Sequence, residues 1–247
     1  MIKTIFSICF IFGLLTTGFG QTELEKGDSA YAAQNYEVAI QAYTSILGNQ
    51  FHSASLYYNL GNAYLKNNEL GKAIWSYQKA NKIKPGDEDI LFNLDYASGL
   101  TKDKIEQRSS GISKWMAKLF YGKPINYWAY FGIGFALITC LFFYFYKTQT
   151  KKNIKALYFL FAGISMVLML LAIGIGMAQK SHITTNTNAI IIQPVVKVKT
   201  APNEAESIAF ELHEGARVEL IKSEGDWINI NVNKNQGWVL KSATLLY

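Results

Sequence analysis

The sequence predicts a multidomain membrane protein with three parts: an α-helical repeat solenoid, a transmembrane helical hairpin and a small all-β barrel. Three observations support this prediction. Residues recur at a fixed spacing in the first third of the chain, and two long apolar runs follow in the middle. The residues from 189 onward form short β-branched or aromatic runs with turn residues between them.

Residues 1–20 are typical of a secretory signal peptide. Lys3 supplies the positive start, residues 5–15 are apolar, and small residues stand at 18 and 20. We expect cleavage after Gly20, because the apolar core is short for a spanning helix. The alternative is an uncleaved N-terminal anchor. The two cysteines, Cys9 and Cys140, lie in apolar runs, so the exported parts contain no disulfide or thiol site.

Residues 21–110 contain a repeat with a period of 34 residues: Gly27 recurs as Gly61, Ala39 as Ala73, and Tyr43 as Tyr77. A fixed period of this length is typical of a helix-turn-helix solenoid. The second copy has an ordered set of small, aromatic and proline positions: Tyr57, Leu60, Gly61, Tyr64, Ala73, Tyr77, Ala80 and Pro85. This set resembles the tetratricopeptide (TPR) family. The resemblance implies two repeats plus a capping helix, with a concave face that binds proteins.

Polar residues are predicted to line one face of this solenoid. Asn59, Asn62 and Lys66 are three and four residues apart, so they share a helix face, and Asn93 repeats the position of Asn59. In the TPR family this face lines the groove, where an amide can bond a peptide backbone through both its donor and its acceptor. We predict that these four residues bind a partner protein. The alternative is that asparagine is simply frequent at these positions in the family.

Two uncharged runs, residues 125–146 and 156–179, predict transmembrane helices, because each is longer than about 30 Å as a helix. The loop at 147–155 has four lysines and no acidic residue, which favours the cytoplasmic side. Together with the signal peptide, this places the TPR and barrel parts on the periplasmic side of a bacterial inner membrane. The preceding juxtamembrane segment, residues 111–124, is either a short helix in the headgroup layer or a plain linker.

The positive charge of the chain follows from these membrane segments. The net charge is +6, yet residues 21–110 have nine basic and eleven acidic residues, and residues 179–247 have seven of each. The remaining eight lysines flank apolar runs. The charge therefore reflects membrane insertion, and we expect no nucleic-acid partner.

Residues 189–247 predict a small barrel of short strands. The order Val-Lys-x-x-Pro at 198–202, Leu-His-Glu-Gly at 212–215 and Gly-Trp-Val at 237–239 resembles the bacterial SH3 family. Trp227 follows a Gly-Asp turn and is the predicted surface aromatic residue. Trp238 is predicted to pack in the core, and Tyr247 is a further candidate for an exposed aromatic residue.

The sequence shows no catalytic set. His52, His182 and His213 are far apart, and neither an HExxH pair nor a phosphate-binding loop is present. We therefore expect no enzyme activity, no catalytic residue, no bound metal and no cofactor.

The order of segments resembles BatE-type proteins of the aerotolerance (Bat) group. The resemblance implies a membrane complex with von Willebrand A-domain proteins and a role in stress tolerance or the cell envelope. We expect a non-catalytic scaffold that binds envelope proteins through the TPR groove. The alternative is a protein that binds or senses peptidoglycan through its SH3-like domain.

Overall fold

A computed structural model describes residues 22–49, 51–105, 123, 126–184 and 188–247. The chain forms two compact units: one holds the helices before residue 100 and the strands after residue 187, and the other holds the two long apolar helices. The predicted signal peptide lies outside the described residues, as does the predicted juxtamembrane segment apart from Lys123.

The helical part of the first unit has five helices among its described residues. Helix α1 covers residues 22–32, α2 Tyr36–Gly48, α3 Ala54–Lys66, α4 Leu70–Ile83 and α5 Glu88–Gly99. Asn35, Ser53 and Asp87 precede α2, α3 and α5, and each side chain accepts a hydrogen bond from a backbone N–H of the first turn. Short polar side chains therefore set where these helices begin.

The 34-residue period is also visible in the geometry. A Cβ atom added to Gly27 would lie 2.5 Å from Cε1 of Tyr43, and one added to Gly61 would lie 2.6 Å from Cε1 of Tyr77. Both tyrosine rings are buried. Glycine at these two positions allows a tyrosine of the next helix to pack against the helix backbone, so consecutive helices form the same contact twice.

The second unit contains α6, Asn126–Thr148, and α7, Lys152–Thr184. These are the two described helices that are long and apolar enough to cross a membrane. Small residues lie at their contact, with Cβ of Trp128 3.4 Å from the position of a Cβ on Gly176. The Ser165 hydroxyl also donates to the carbonyl of Phe135 at 2.9 Å.

Both helices extend beyond the uncharged runs that predicted them. Helix α7 begins at Lys152 and ends at Thr184, so the connection to α6 shortens to residues 149–151. Helix hydrogen bonds do not depend on apolar side chains, and a lysine near the end of a span can extend its ammonium group toward water. Charge therefore ends the apolar run without ending the helix.

The C-terminal part of the first unit is a seven-stranded sheet in which every pair is antiparallel. The strands are β1 Asn188–Ile191, β2 Val195–Lys199, β3 Ile208–His213, β4 Arg217–Glu224, β5 Trp227–Val232, β6 Asn235–Leu240 and β7 Thr244–Leu246. Their order across the sheet is β3-β2-β6-β5-β4-β1-β7. Alternate residues of these strands fill one core, which includes Val198, Val218, Ile228, Ile230 and Val239.

The prediction of a closed barrel is wrong, because the sheet is open. Strands β3 and β7 are its edges, and each pairs with one neighbouring strand. Side chains from the helical part bond to backbone groups on both edges. Asp103 accepts from the backbone N–H of His213 at 2.6 Å, and the Trp75 indole donates to the carbonyl of Leu246 at 2.8 Å. These bonds satisfy edge groups that barrel closure would otherwise have to pair.

Strand β1 is buried on both faces and joins the sheet to the helices. Ala189 and Ile191 lie in the sheet core, whereas Ile190 packs with Ala73, Ile74, Tyr77 and other residues of α4 and α5. Tyr247 belongs to the same helical cluster and is 2 % exposed. The predicted solenoid and the predicted SH3-like part are thus continuous in one compact unit.

Candidate functional site

The first candidate site is a polar groove on the helical part. The Tyr43 hydroxyl donates to Oδ1 of Asp28 at 2.7 Å, and Nδ2 of Asn59 donates to the same oxygen at 3.3 Å. The arrangement recurs 34 residues later, where the Tyr77 hydroxyl and Nδ2 of Asn93 donate to Oδ1 of Asn62 at 2.7 and 2.9 Å. The equivalent residues of the two copies are Asp28 and Asn62, Tyr43 and Tyr77, and Asn59 and Asn93. In each copy, a tyrosine hydroxyl and an asparagine amide therefore donate to the same side-chain oxygen.

A cavity of about 210 Å³ lies at the first copy of this arrangement, lined by Asp28, Tyr31, Tyr43, Asn59 and Asn62. Burial, followed by the hydrogen bond to Asp28 and its charge, raises the pKa of Tyr43 well above its usual range. Tyr43 therefore remains a neutral hydroxyl donor at physiological pH. A cavity of this size, with a carboxylate and two amides on its wall, suits a peptide segment that offers N–H donors or a basic group.

The four residues predicted for this groove fall into different environments. Asn59 and Asn62 line the cavity. Lys66 is exposed at the end of α3 and does not belong to the cavity wall. Asn93 also donates to the Tyr58 hydroxyl at 3.0 Å, so its amide connects α3 with α5. Their role in binding a partner stays a prediction.

The second candidate site is the sheet face opposite the core, here called the outer sheet face. Lys199 pairs in register with Trp238, Trp238 with Asn229, and Asn229 with Lys222. This row crosses four neighbouring strands, and its neighbour Trp227 lies on the same face because it alternates with the core residue Ile228. The outer sheet face thus combines aromatic, amide and ammonium groups.

The exposure of these side chains differs. Trp227 is partly exposed, whereas Trp238 is 6 % and Asn229 9 % exposed. The Lys222 ammonium lies 4.8 Å from the centre of the Trp238 ring and covers it. Trp227 is therefore the accessible aromatic group of this face.

Tyr247 is not the exposed aromatic residue that the sequence suggested. Its ring packs among α4 and α5, and burial raises its pKa to about 12. Lys82 and Arg217 lie 5.5 and 5.6 Å from the ring centre. The last strand carries this tyrosine to the helices, a long-range contact that local sequence patterns do not show.

The Leu-His-Glu-Gly motif at 212–215 forms the joint between helices and sheet. The His213 ring contacts Oδ1 of Asp103 at 3.0 Å through Nδ1 and the Lys102 ammonium at 2.8 Å through Nε2. Glu214 accepts from the backbone N–H of Gly71, in the first turn of α4, at 2.8 Å. Gly215 adopts φ +85°, which favours glycine. These contacts give the motif a structural role in holding the two parts together.

Comparison with known families identifies the C-terminal part. Residues 194–244 match the bacterial SH3 domain family. The match covers strands β2 to β6 and the start of β7, and so includes the outer sheet face with Trp227. It covers about a fifth of the chain, and the helical parts lie outside it.

Two further comparisons add little to this. Among solved structures, the chain resembles a structure titled "Structure of NlpC2 from Trichomonas vaginalis", at 16 % identity and a TM-score of 0.24, over 26 % of each chain. That likeness is too low to support a functional argument. No curated protein matches the chain.

Sequence reasoning missed part of both sites. Asp28 was detectable, because it precedes Asn62 by one period, but its bonds to Tyr43 and Asn59 depend on how the helices pack. The row through Asn229 depends on strand register, which β-bulges after Val198 and Leu220 shift. Within the described residues, no group of three His, Cys, Asp or Glu side chains is placed to hold a metal ion.

Proposed function

We propose that this chain is a non-catalytic, membrane-anchored envelope protein that binds peptidoglycan through the outer face of its SH3 domain. The observation that carries the proposal is the family match over residues 194–244, because bacterial SH3 domains commonly bind peptidoglycan. The two apolar helices supply a membrane anchor of sufficient length. In this proposal the SH3 domain and the helical part lie on the periplasmic side.

The outer sheet face has groups suited to a wall fragment. The partly exposed Trp227 ring offers an apolar plane for the face of a sugar ring. Lys222 places an exposed ammonium on the same face, where the carboxylates of lactyl groups and stem peptides are attracted. Glycan and peptide portions of peptidoglycan would both find partners there.

The test uses the full chain in detergent with purified sacculi. We expect the protein to sediment with sacculi and to return to the supernatant after muramidase digestion. Equal amounts in the pellet with and without sacculi would contradict the proposal. A second tube with cellulose controls for binding to any insoluble glycan.

A second function, the scaffold role, is favoured by the cavity at Asp28. As a TPR-type solenoid in a Bat-type complex, the helical part would bind a segment of an envelope protein there, von Willebrand A-domain proteins being the partners that the sequence resemblance suggests. The carboxylate of Asp28 and the amides of Asn59 and Asn62 suit peptide N–H groups and a lysine or arginine side chain.

Replacing Asn59 by Ala tests the scaffold role with little effect on the fold, because its bond to Asp28 is exposed. We expect weaker co-purification of proteins that cross-link to the helical part in intact cells, and unchanged binding to sacculi. Asn93→Ala is less suitable, since it also removes the bonds between α3 and α5. Full co-purification by Asn59→Ala would count against the scaffold role and leave the wall-binding proposal intact.

A further inference from the structure

Helix α5 presents an apolar surface that no described element covers. Phe92 is 72 % exposed, and Tyr96, one turn further on, is 57 % exposed. Leu100, directly after the helix end, is 54 % exposed. These three side chains form one stripe, here called the α5 stripe. An exposed apolar patch on a soluble surface of this kind commonly marks an interaction site.

The stripe is additional to the face by which α5 packs on its own unit. Ile90, Leu94 and Ala97 are buried on the opposite side of the helix, and Leu94 and Ala97 pack in the cluster with α4. A helix that is apolar on two opposite faces is suited to packing on both. One face of α5 packs on this chain, and no described residue covers the other.

The charges around the α5 stripe indicate what would cover it. Glu88 and Asp89 stand in the first turn and Asp95 lies between Phe92 and Tyr96 in sequence, while α5 contains no lysine or arginine. Three carboxylates beside an apolar stripe repel anionic lipid headgroups and attract basic side chains. Charge complementarity therefore favours a protein partner with lysine or arginine beside its apolar residues over a membrane surface.

We propose that the α5 stripe docks a basic amphipathic helix of a partner protein. Phe92 and Tyr96 are four residues apart and form a ridge along α5, which fits the groove between side chains of a second helix. The partner's apolar residues cover the two rings, and its lysines or arginines face Glu88, Asp89 and Asp95. This interaction is separate from the outer sheet face and from the cavity at Asp28.

The test places the photo-reactive residue benzoylphenylalanine at position 92 of the full chain in its native membranes. Phe51, which is 64 % exposed but lies outside the helices, is the matched control position. We expect a protein adduct from position 92 and not from position 51. Mass spectrometry of the adduct should place the cross-link in a helical segment whose basic residues outnumber its acidic ones.

Charge reversal tests the recognition itself. Replacing Glu88, Asp89 and Asp95 by Lys should reduce the adduct yield by at least about tenfold. Asp95 lies away from the N-terminus of the helix, so replacing it by Lys does not disturb the helix dipole. Asp95→Lys alone should also reduce the adduct yield. The same replacements at the exposed Glu204, Glu206 and Glu211 are the control and should leave the yield unchanged.

Four results would overturn the proposal: an adduct with lipid alone, with a second copy of this chain, or with another segment of the same chain, and an adduct yield that charge reversal does not change. Absence of any adduct at position 92 would overturn it too. Circular dichroism of each variant excludes unfolding as the cause of a lower yield. Binding to sacculi should be the same in all variants, so failure here is distinguishable from failure of the wall-binding proposal.

Discussion

At the scale of single residues, two glycines and two tyrosines determine how the helices stack. The 34-residue spacing predicts that Gly61 and Tyr77 are equivalent to Gly27 and Tyr43, and the structure brings each pair into direct contact. The pattern could not show that Asn93 would bond to Asn62, because this contact joins helices of different copies. A repeat in sequence thus predicts which positions are small, while packing decides which polar groups meet.

Gly61→Ala should destabilise the helical part. Alanine improves helix propensity by up to about 1 kcal/mol, but overpacking a filled contact costs about 1–3 kcal/mol. The new Cβ would lie 2.6 Å from the fully buried ring of Tyr77, so we expect the cost of overpacking to exceed the gain in helix propensity. The temperature at which tryptophan fluorescence of the full chain in detergent changes should fall.

Gly48→Ala is the control for this prediction. Nothing lies within 4 Å of a Cβ added at Gly48, so alanine there should leave the transition unchanged or raise it slightly. A Gly61→Ala protein that melts at or above the temperature of Gly48→Ala would show that the tyrosine contact is not tight.

At the scale of elements, apolar runs predict where several strands lie, but they do not predict β3 or β7, or how the strands assemble. The runs of Ile and Val at 189–192 and 195–199 became β1 and β2, yet the sheet does not close. Closure depends on what the edge strands meet, and here they meet Trp75 and Asp103 of the helical part. The uninterrupted apolar run of β1 does signal burial on both faces, which the structure shows.

Glu214→Ala should weaken the joint between sheet and helices. Its carboxylate accepts from the N–H of Gly71 in the first turn of α4, where a negative charge also interacts favourably with the helix dipole. Loss of such a cap costs about 0.5–2 kcal/mol. Chemical denaturation of the full chain should shift to lower denaturant concentration.

Glu211→Ala provides the comparison, because Glu211 is an exposed carboxylate on the neighbouring strand β3. The denaturation midpoint of Glu211→Ala should match that of the unchanged protein. Equal midpoints for both variants would mean that Glu214 does not support α4.

At the scale of the whole molecule, the order of segments was readable from sequence because hydropathy and charge are local properties. Two apolar helices lie where the uncharged runs predicted them, although they extend to Thr148 and Thr184. The packing of helices and strands into one unit could not be predicted from the sequence. It depends on contacts such as Trp75 with Leu246, which join residues far apart in the chain.

Topology is a prediction that follows from the lysine-rich turn. Alkaline phosphatase, which is active outside the cytoplasm, should be active when fused after Tyr247 and inactive when fused at Thr150. Lys147, Lys151, Lys152 and Lys155 favour the cytoplasmic side for that turn. An inactive fusion after Tyr247 would exclude a two-span hairpin with the SH3 domain outside.

The most direct measurement of the central claim is the Kd of the full chain in detergent for a soluble muropeptide, determined by calorimetry. Trp227→Ala should raise this Kd at least about tenfold, because it removes the accessible aromatic group of the outer sheet face. Ile208→Ala, an apolar truncation at the 47 % exposed Ile208 on edge strand β3, should leave the Kd unchanged. Binding that is lost equally in both variants, or in neither, would contradict the assignment of the wall-binding site to this face.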